Sequence, residues 1–369
     1  MEPFRYEQLA TRVVFGAGSR DRVAEEAAAL GAQRVMLIAG GAAEAAGDEL
    51  AAELGSSMAV RWSEVVQHVP VEVAERARRA ATDHEVDVVI CVGGGSATGL
   101  AKALALSHGV PIVAVPTTYA GSEQTTIYGL TGGRQKQTGK DASVLPKVVV
   151  YDPELTLGLP PHVTGASAFN ALAHAIEGMW APGCNPITTV VALEAARAVT
   201  SSLPRVMATP GDVDARGDLL YGAALAGMVL GATSAGLHHK ICHVLGGRFD
   251  LVHADAHSVV LPHVLAFNAP ALPGEMSRLA DALGVPGGDP AGALWDLARE
   301  SGVPIRLADL TGSGGPLQRG ALGEVADQAV AEVTDNPRPV STADVLGVLE
   351  RAFDGLRPAA SLASRPTSG

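Results

Sequence analysis

VDVVICVGGGSATGLAKALALS, residues 86–107, decides the fold. Its first seven residues, Val86–Val92, are a short apolar run rich in β-branched side chains. Gly93-Gly94-Gly95-Ser96 follow, and then an Ala-rich stretch, Ala97–Ser107. A run of this kind closed by turn residues reads as a parallel strand buried on both faces, and the stretch after it as a helix. The same unit recurs outward. Val35–Ala39 ends in Gly40-Gly41, Val110–Val115 ends at Pro116, and Val148–Tyr151 ends at Asp152-Pro153. Val71–Thr82 reads as an intervening helix. Strands alternating with helices predict an α/β domain with a parallel sheet and right-handed crossovers over residues 1–158.

After Pro160-Pro161 the texture changes. Ala168–Trp180, Pro186–Ser202, Arg216–Gly231, Val259–Asn268 and Gly274–Leu283 all read as helices, and few β-branched runs remain. Residues 159–369 are therefore expected to form a helical domain, with Asp152–Pro161 as the hinge and a loose tail from Pro358. A length of 369 residues suits two domains. Apolar residues at 47% and charged residues at 18% are enough for a large core and exclude a disordered chain. Lys+Arg is 27 against Asp+Glu 39, a net charge of -12, which argues against a nucleic-acid partner. A small anionic ligand then needs local positive charge in its pocket. Three cysteines, Cys91, Cys184 and Cys242, are too few for a disulfide framework and fit a reducing cytoplasm. Met1 is followed by Glu2, Arg5 and Glu7, which is not the pattern of a targeting segment. Leu219–Leu237 carries no charge and is long enough to span a bilayer. Its Gly, Ala, Ser and Thr content, and its end at His238, His239 and Lys240, predict a tightly packed core helix and no membrane contact.

The turn Gly93-Gly94-Gly95-Ser96 between strand and helix lets backbone N–H groups approach a pyrophosphate, with the helix N-terminus adding positive potential. The spacing is not GxGxxG, so the turn alone is a weak signal. A second loop, Pro116 to Ser122 (PTTYAGS), follows the next strand and puts hydroxyls and N–H groups at the same sheet edge. Together they predict a Rossmann-like dinucleotide-binding domain. No carboxylate stands near Gly40, where one often holds the adenosine ribose, so the site is expected to take NADPH as well as NADH.

Eleven histidines are unevenly placed. His174, His238, His239, His243 and His253 fall in two neighbouring blocks. Asn170 and His174 share a helix face at i, i+4, and so do His239 and His243. Any one of them alone reads as a satisfied core residue. Several imidazoles converging from two helices and a loop make a metal or proton-transfer site. His162, His257 and His263 are read as structural.

The order GGGS, PTTxxGSE, YDP, AxxNAxxHAxEG, then HxxxHxxG and a further His resembles the iron-containing (group III) alcohol dehydrogenase superfamily over nearly the whole chain. That resemblance implies a dinucleotide-binding α/β domain, a helical domain and a cleft between them. It also implies a divalent metal held by one Asp and three His, at positions matching Asn170, His174, His239 and His253. The Asp is absent, and Gly99 replaces a second Asp in the GGGSxxD segment. Both departures resemble the maleylacetate reductase branch, as do residues 116–131, 136–147, 169–182 and 236–247. The branch implies reduction of maleylacetate to 3-oxoadipate by NADH or NADPH in aromatic-compound breakdown, and a homodimer.

An amide at residue 170 offsets none of a cation's charge, so three imidazoles and Asn170 make a weak site for Fe²⁺ or Zn²⁺. The expectation is an enzyme that does not require its metal. His243 or His239 is expected to polarise the substrate carbonyl or donate the proton, with His174 and His253 completing the pocket and Asn170 hydrogen-bonding the substrate or orienting His174. Gly93, Gly94, Gly95, Ser96, Thr117, Thr118 and Ser122 are expected to hold the dinucleotide. Lys136 aligns with a family lysine near the cofactor ribose. His238, Lys240 and Arg248 are candidate carboxylate binders, and Tyr119 and Tyr128 are read as packing. The alternatives are a metal-dependent alcohol dehydrogenase, a non-redox lyase resembling dehydroquinate synthases, and a nucleotide-binding sensor.

Overall fold

The computed structural model describes residues 3–7, 9–132 and 135–358. The N-terminal half contains β1 (Arg12–Phe15), α1 (Val23–Ala29), β2 (Val35–Ile38), α2 (Glu44–Leu54), β3 (Met58–Trp62), α3 (Val71–Asp83), β4 (Val88–Gly93), α4 (Gly95–His108) and β5 (Ile112–Pro116). A separate antiparallel hairpin follows, β6 (Ile127–Gly132) and β7 (Gln135–Lys140), and then β8 (Val148–Tyr151). Six strands pair in parallel in the order β1-β8-β5-β4-β2-β3.

The four apolar runs read from the sequence are β2, β4, β5 and β8, and every residue in them is buried. They are the inner strands. The edges β1 and β3 were not expected. Their residues are exposed or half-buried, and RVVF and MAVRW do not make a long apolar run. Between α1, α2 and the sheet lies a core that includes Val23, Ala27, Leu37, Leu50, Ile90 and Val113.

The second half is helical: α5 (Pro161–Glu177), α6 (Pro186–Ala208), α7 (Val213–Ala232), α8 (Leu237–Phe249), α9 (His253–Asn268), α10 (Pro273–Ala282), α11 (Pro290–Glu300), α12 (Leu322–Glu332) and α13 (Thr342–Asp354). Asn185 caps α6 in a capping box with Thr188. Helices α8, α9, α12 and α13 share a core around Ile241, Leu245, Val260, Val325 and Leu349. The expectation for the tail concerns residues that, from 359 on, lie outside the described ones.

Two compact units result, and they are not two consecutive halves. One holds residues 6–160 and 210–231; the other holds 3–5, 161–209 and 232–358. A single cut after residue 158 puts α7 with the helices, whereas α7 packs in the α/β unit. The reason is steric. A Cβ on Gly227 would lie 2.7 Å from the Gly121 carbonyl, and one on Gly231 would lie 2.6 Å from that of Gln124. Only a helix with glycine on that face can lie so close to the loop after β5. The buried Arg216 of α7 donates to the Tyr119 hydroxyl (3.3 Å) and to Pro210 O (2.7 Å). The uncharged 219–237 stretch is thus mostly core helix. Among the described residues no single helix is long and apolar enough to cross a membrane.

Candidate active site

In the α/β unit, β4 and β5 end side by side. Gly93 closes β4 at φ +147°, a backbone that L side chains rarely adopt, and a Cβ there would meet that of Ala97 at 2.9 Å. A Cβ on Gly94 would stand 3.0 Å from the Thr118 side chain, and Thr117 N donates to Gly93 O (3.1 Å), so the two loops abut. Gly94 caps α4 and gives its first turn no side-chain cap. Gly95 is exposed, and Ser96, Thr117, Thr118 and Ser122 are half-buried. The result is an open helix N-terminus flanked by hydroxyls, the arrangement an anionic group requires. Gly40 has no room for a side chain, because its Cβ would lie 2.1 Å from Ser63 O. The side chain of Lys136 lies outside the described residues.

In the helical unit, α5, α8 and α9 bring the histidines together. Asn170, His174 and Glu177 follow one another along one face of α5. Glu177 was not expected. Its Oε2 accepts from Gly236 N (2.9 Å) and its Oε1 from His238 N (2.7 Å), so it caps α8. Oε2 also pairs with His239 Nδ1 at 2.5 Å. Gly236 is required, because a Cβ there would lie 2.8 Å from the Glu177 carboxyl carbon. Glu177 therefore fixes both the start of α8 and the ring of His239. Its signal in the sequence was the spacing of three residues from His174.

The His174 and His239 rings stack with centroids 5.2 Å apart. His243 and His253 stack at 5.8 Å, and His239 lies 6.2 Å from His243. His243 is exposed and His253 half-buried, whereas His174 and His239 are buried. All four expected imidazoles thus belong to one cluster, on α5, α8 and α9, and buried Asn170 stands one turn before His174 on α5.

Two histidines need correction. His257, read as structural, is fully buried in the cluster. Its Nδ1 is 2.6 Å from His238 Nε2 and its Nε2 is 2.8 Å from His253 Nε2. The overlooked signal was the i, i+4 spacing from His253. His238, read as a carboxylate binder, is wholly buried in this hydrogen-bonded chain, with Cys242 Sγ 3.8 Å from its Nε2. Lys240 and Arg248 already face carboxylates of the chain, Glu332 at 3.5 Å and Glu324 respectively. Burial, reinforced by the neighbouring imidazoles, pushes the pKa values of His174, His238 and His257 well below the usual range and keeps these rings neutral. Tyr119 is fully buried and packs, as expected. Tyr128 lies half-buried on β6. His162 is exposed, and His263 is buried away from hydrogen-bond partners at either ring nitrogen.

A parallel sheet ending in a glycine turn, joined to a helical unit that carries clustered imidazoles, defines a dehydrogenase class. The chain belongs to the iron-containing alcohol dehydrogenase family, which matches residues 10–153, and the family's C-terminal part matches residues 164–353. It is an oxidoreductase. Within the family it falls among the maleylacetate reductases. It is 48% identical to the maleylacetate reductase of Sphingobium indicum, over 96% of this chain and 99% of that one. Maleylacetate reductase 2 of Cupriavidus pinatubonensis is 49% identical over 94% of this chain and 96% of that one. The crystal structure of maleylacetate reductase from Rhizobium sp. strain MTP-10005 has a TM-score of 0.91 at 42% identity, covering 97% of this chain and 100% of that one.

Proposed function

We propose that the chain reduces maleylacetate to 3-oxoadipate with NADH or NADPH. The observation that carries this reading is its end-to-end likeness to maleylacetate reductases. The glycine turn and the Pro116–Ser122 loop suit a dinucleotide: Cβ atoms at Gly93 and Gly94 would crowd Ala97 and Thr118, so the turn stays bare, and the first turn of α4 is open. Gly93, Gly94, Gly95, Ser96, Thr117, Thr118 and Ser122 would hold the phosphates, with Lys136 assigned to the ribose by resemblance alone.

The donor set does not suit a tightly held divalent cation. Asn170 offers a neutral amide, and His253 Nε2 is engaged by His257. Four ligands are the usual requirement, and negative or thiolate donors strengthen such sites. One observation favours the metal-dependent reading. His174 Nδ1 and His239 Nε2 are buried with no hydrogen-bond partner, as ligand atoms facing a cation would be.

When bound, the reduced nicotinamide supplies a hydride to the alkene carbon β to the substrate ketone. Negative charge then develops on the ketone oxygen, and a fixed donor there lowers the barrier by a few kcal/mol. His239, its ring held at Nδ1 by Glu177, presents Nε2 as the group to meet that oxygen. His243, exposed and near it, can recover a proton from water and donates it to the neighbouring carbon. With Lys240 and Arg248 already paired, the histidine cluster is the polar surface that meets the anionic substrate. A homodimer is supported by β1, a sheet edge on which Val13 and Phe15 are exposed. Three free thiols suit a reducing cytoplasm.

The test is oxidation of NADH and NADPH by maleylacetate, with and without chelator. Stoichiometric loss of reduced cofactor, unchanged by EDTA, is expected. His243→Ala should lower kcat by about 100-fold or more with cofactor binding retained. Activity lost to EDTA and restored by iron or zinc would establish the metal-dependent reading. Turnover without cofactor loss would make the chain a lyase.

A further inference from the structure

Lys102 lies on α4, two turns after the glycine turn, and none of its surface is exposed. Its Nζ donates to Ser122 O (2.7 Å), Thr125 O (2.8 Å), Thr125 Oγ1 (2.9 Å) and Ile127 O (2.7 Å). Three of the four acceptors are backbone carbonyls, drawn from the loop after β5 and the start of β6. The Thr125 hydroxyl donates to Ser122 O (3.0 Å) and accepts from Ile127 N (3.2 Å), which leaves oxygen lone-pair density facing Nζ. The buried carboxylate acting on this group, Glu123, accepts instead from the Tyr151 hydroxyl (2.7 Å).

A shell of carbonyl and hydroxyl oxygens at 2.7–2.9 Å suits a dehydrated potassium or ammonium ion, as where carbonyls replace a hydration shell. It is wider than the ~2.3–2.6 Å of calcium or the ~2.0–2.1 Å of magnesium. An ammonium brings three N–H groups to these four oxygens, whereas a neutral amine would turn a lone pair on one of them.

We infer that Lys102 is a tethered monovalent cation: its ammonium fills an oxygen cage that holds the loop after β5 in the shape that receives the dinucleotide. The inference rests on reading that loop as cofactor-binding. Burial is the larger influence and brings the amine's pKa down to about 7, with Glu123 and Cys91 opposing it. The consequence for the site is geometric. Helix α4 carries the open N-terminus at one end and Lys102 two turns later. The cage therefore ties Ser122 and Thr125 to the same rigid element as Gly94–Ser96. Lys102 is a positioning residue that acts on the cofactor through this loop.

The experiment uses full-length Lys102→Ala. Its NADH affinity is measured by fluorescence titration, and its Tm is followed in sodium buffer and again with potassium, ammonium or propylammonium. In sodium, NADH should bind about tenfold more weakly than to wild type, with kcat at saturation little changed. Potassium, ammonium or propylammonium should recover most of that tenfold and raise the Tm, while wild type stays indifferent to the exchange. Lys102→Met, which fills the space without charge, should lose affinity equally and show no rescue. It decides the matter if the alanine variant does not fold. Wild-type affinity in Lys102→Met, or an alanine variant that no cation restores in either affinity or Tm, overturns the inference. Failure of wild type itself to bind NADH would instead remove the cofactor reading. The cation-dependent Tm of the variant would still decide the cage.

Discussion

At Glu177 one carboxylate meets the N–H groups of Gly236 and His238 and the ring of His239. A helix cap and an oriented imidazole therefore depend on the same two oxygens. Glu177→Gln keeps the volume, but it loses the charge and turns one acceptor into a donor. It should lower kcat about 10–100-fold, as losing the partner of an active imidazole typically does. NADH affinity should be unchanged, because the carboxylate belongs to the helical unit. Steady-state kcat measured beside a cofactor titration separates the two effects. An unaltered kcat would remove Glu177 from the site. At this scale the clustering and spacing in the sequence anticipated that the rings of His174, His239, His243 and His253 meet. They did not reveal Glu177 or His257. A glutamate on a helix reads as surface until its partner is known, and His257 was marked only by its spacing of four residues from His253.

Among the elements, α7 shows most clearly what periodicity encodes and what it does not. Its helical state was legible, because a long uncharged Ala- and Gly-rich stretch has few other solutions. Its neighbours were not, because apolar residues surround it on all sides and no stripe marks a buried face. The inner strands β2, β4, β5 and β8 were legible because burial on both faces demands continuous apolar runs, whereas β1 and β3, each with one neighbour, escape that demand. The contact of Gly227 with Gly121 makes a prediction against intrinsic propensity. Gly→Ala inside a helix should gain about 1 kcal/mol. Here the methyl would meet a carbonyl at 2.7 Å, and Gly227→Ala should cost about 1–3 kcal/mol instead. Urea denaturation measures the sign, and a stabilised variant would mean that α7 can move away from the loop.

For the molecule as a whole, stability should depend on acid through His263. Burial, with Arg351 adding to it, pushes this imidazole down to about 4 from an ordinary 6.5. The unfolded chain takes up a proton as pH falls below 6.5, whereas the folded chain refuses it until about 4. The contribution is complete above pH 6.5 and is lost progressively toward pH 4, about 3 kcal/mol in all. His263→Phe removes the group, so the stability difference between variant and wild type should change by that amount between pH 7 and pH 4. A constant difference in denaturation experiments would show that the buried ring does protonate.

The excursion of α7 has a further consequence for any attempt to dissect the protein. The polypeptide passes from one body to the other after Pro160, returns at Pro210 and leaves again after Gly231. A gene fragment ending at Pro160 would encode a nucleotide-binding half stripped of the helix that braces its β5 loop. The downstream fragment would carry that helix with nothing to lie against. Shuffling halves between relatives therefore cannot use one crossover. It must exchange residues 210–231 together with the N-terminal part, so two segments far apart in the gene are inherited as one body.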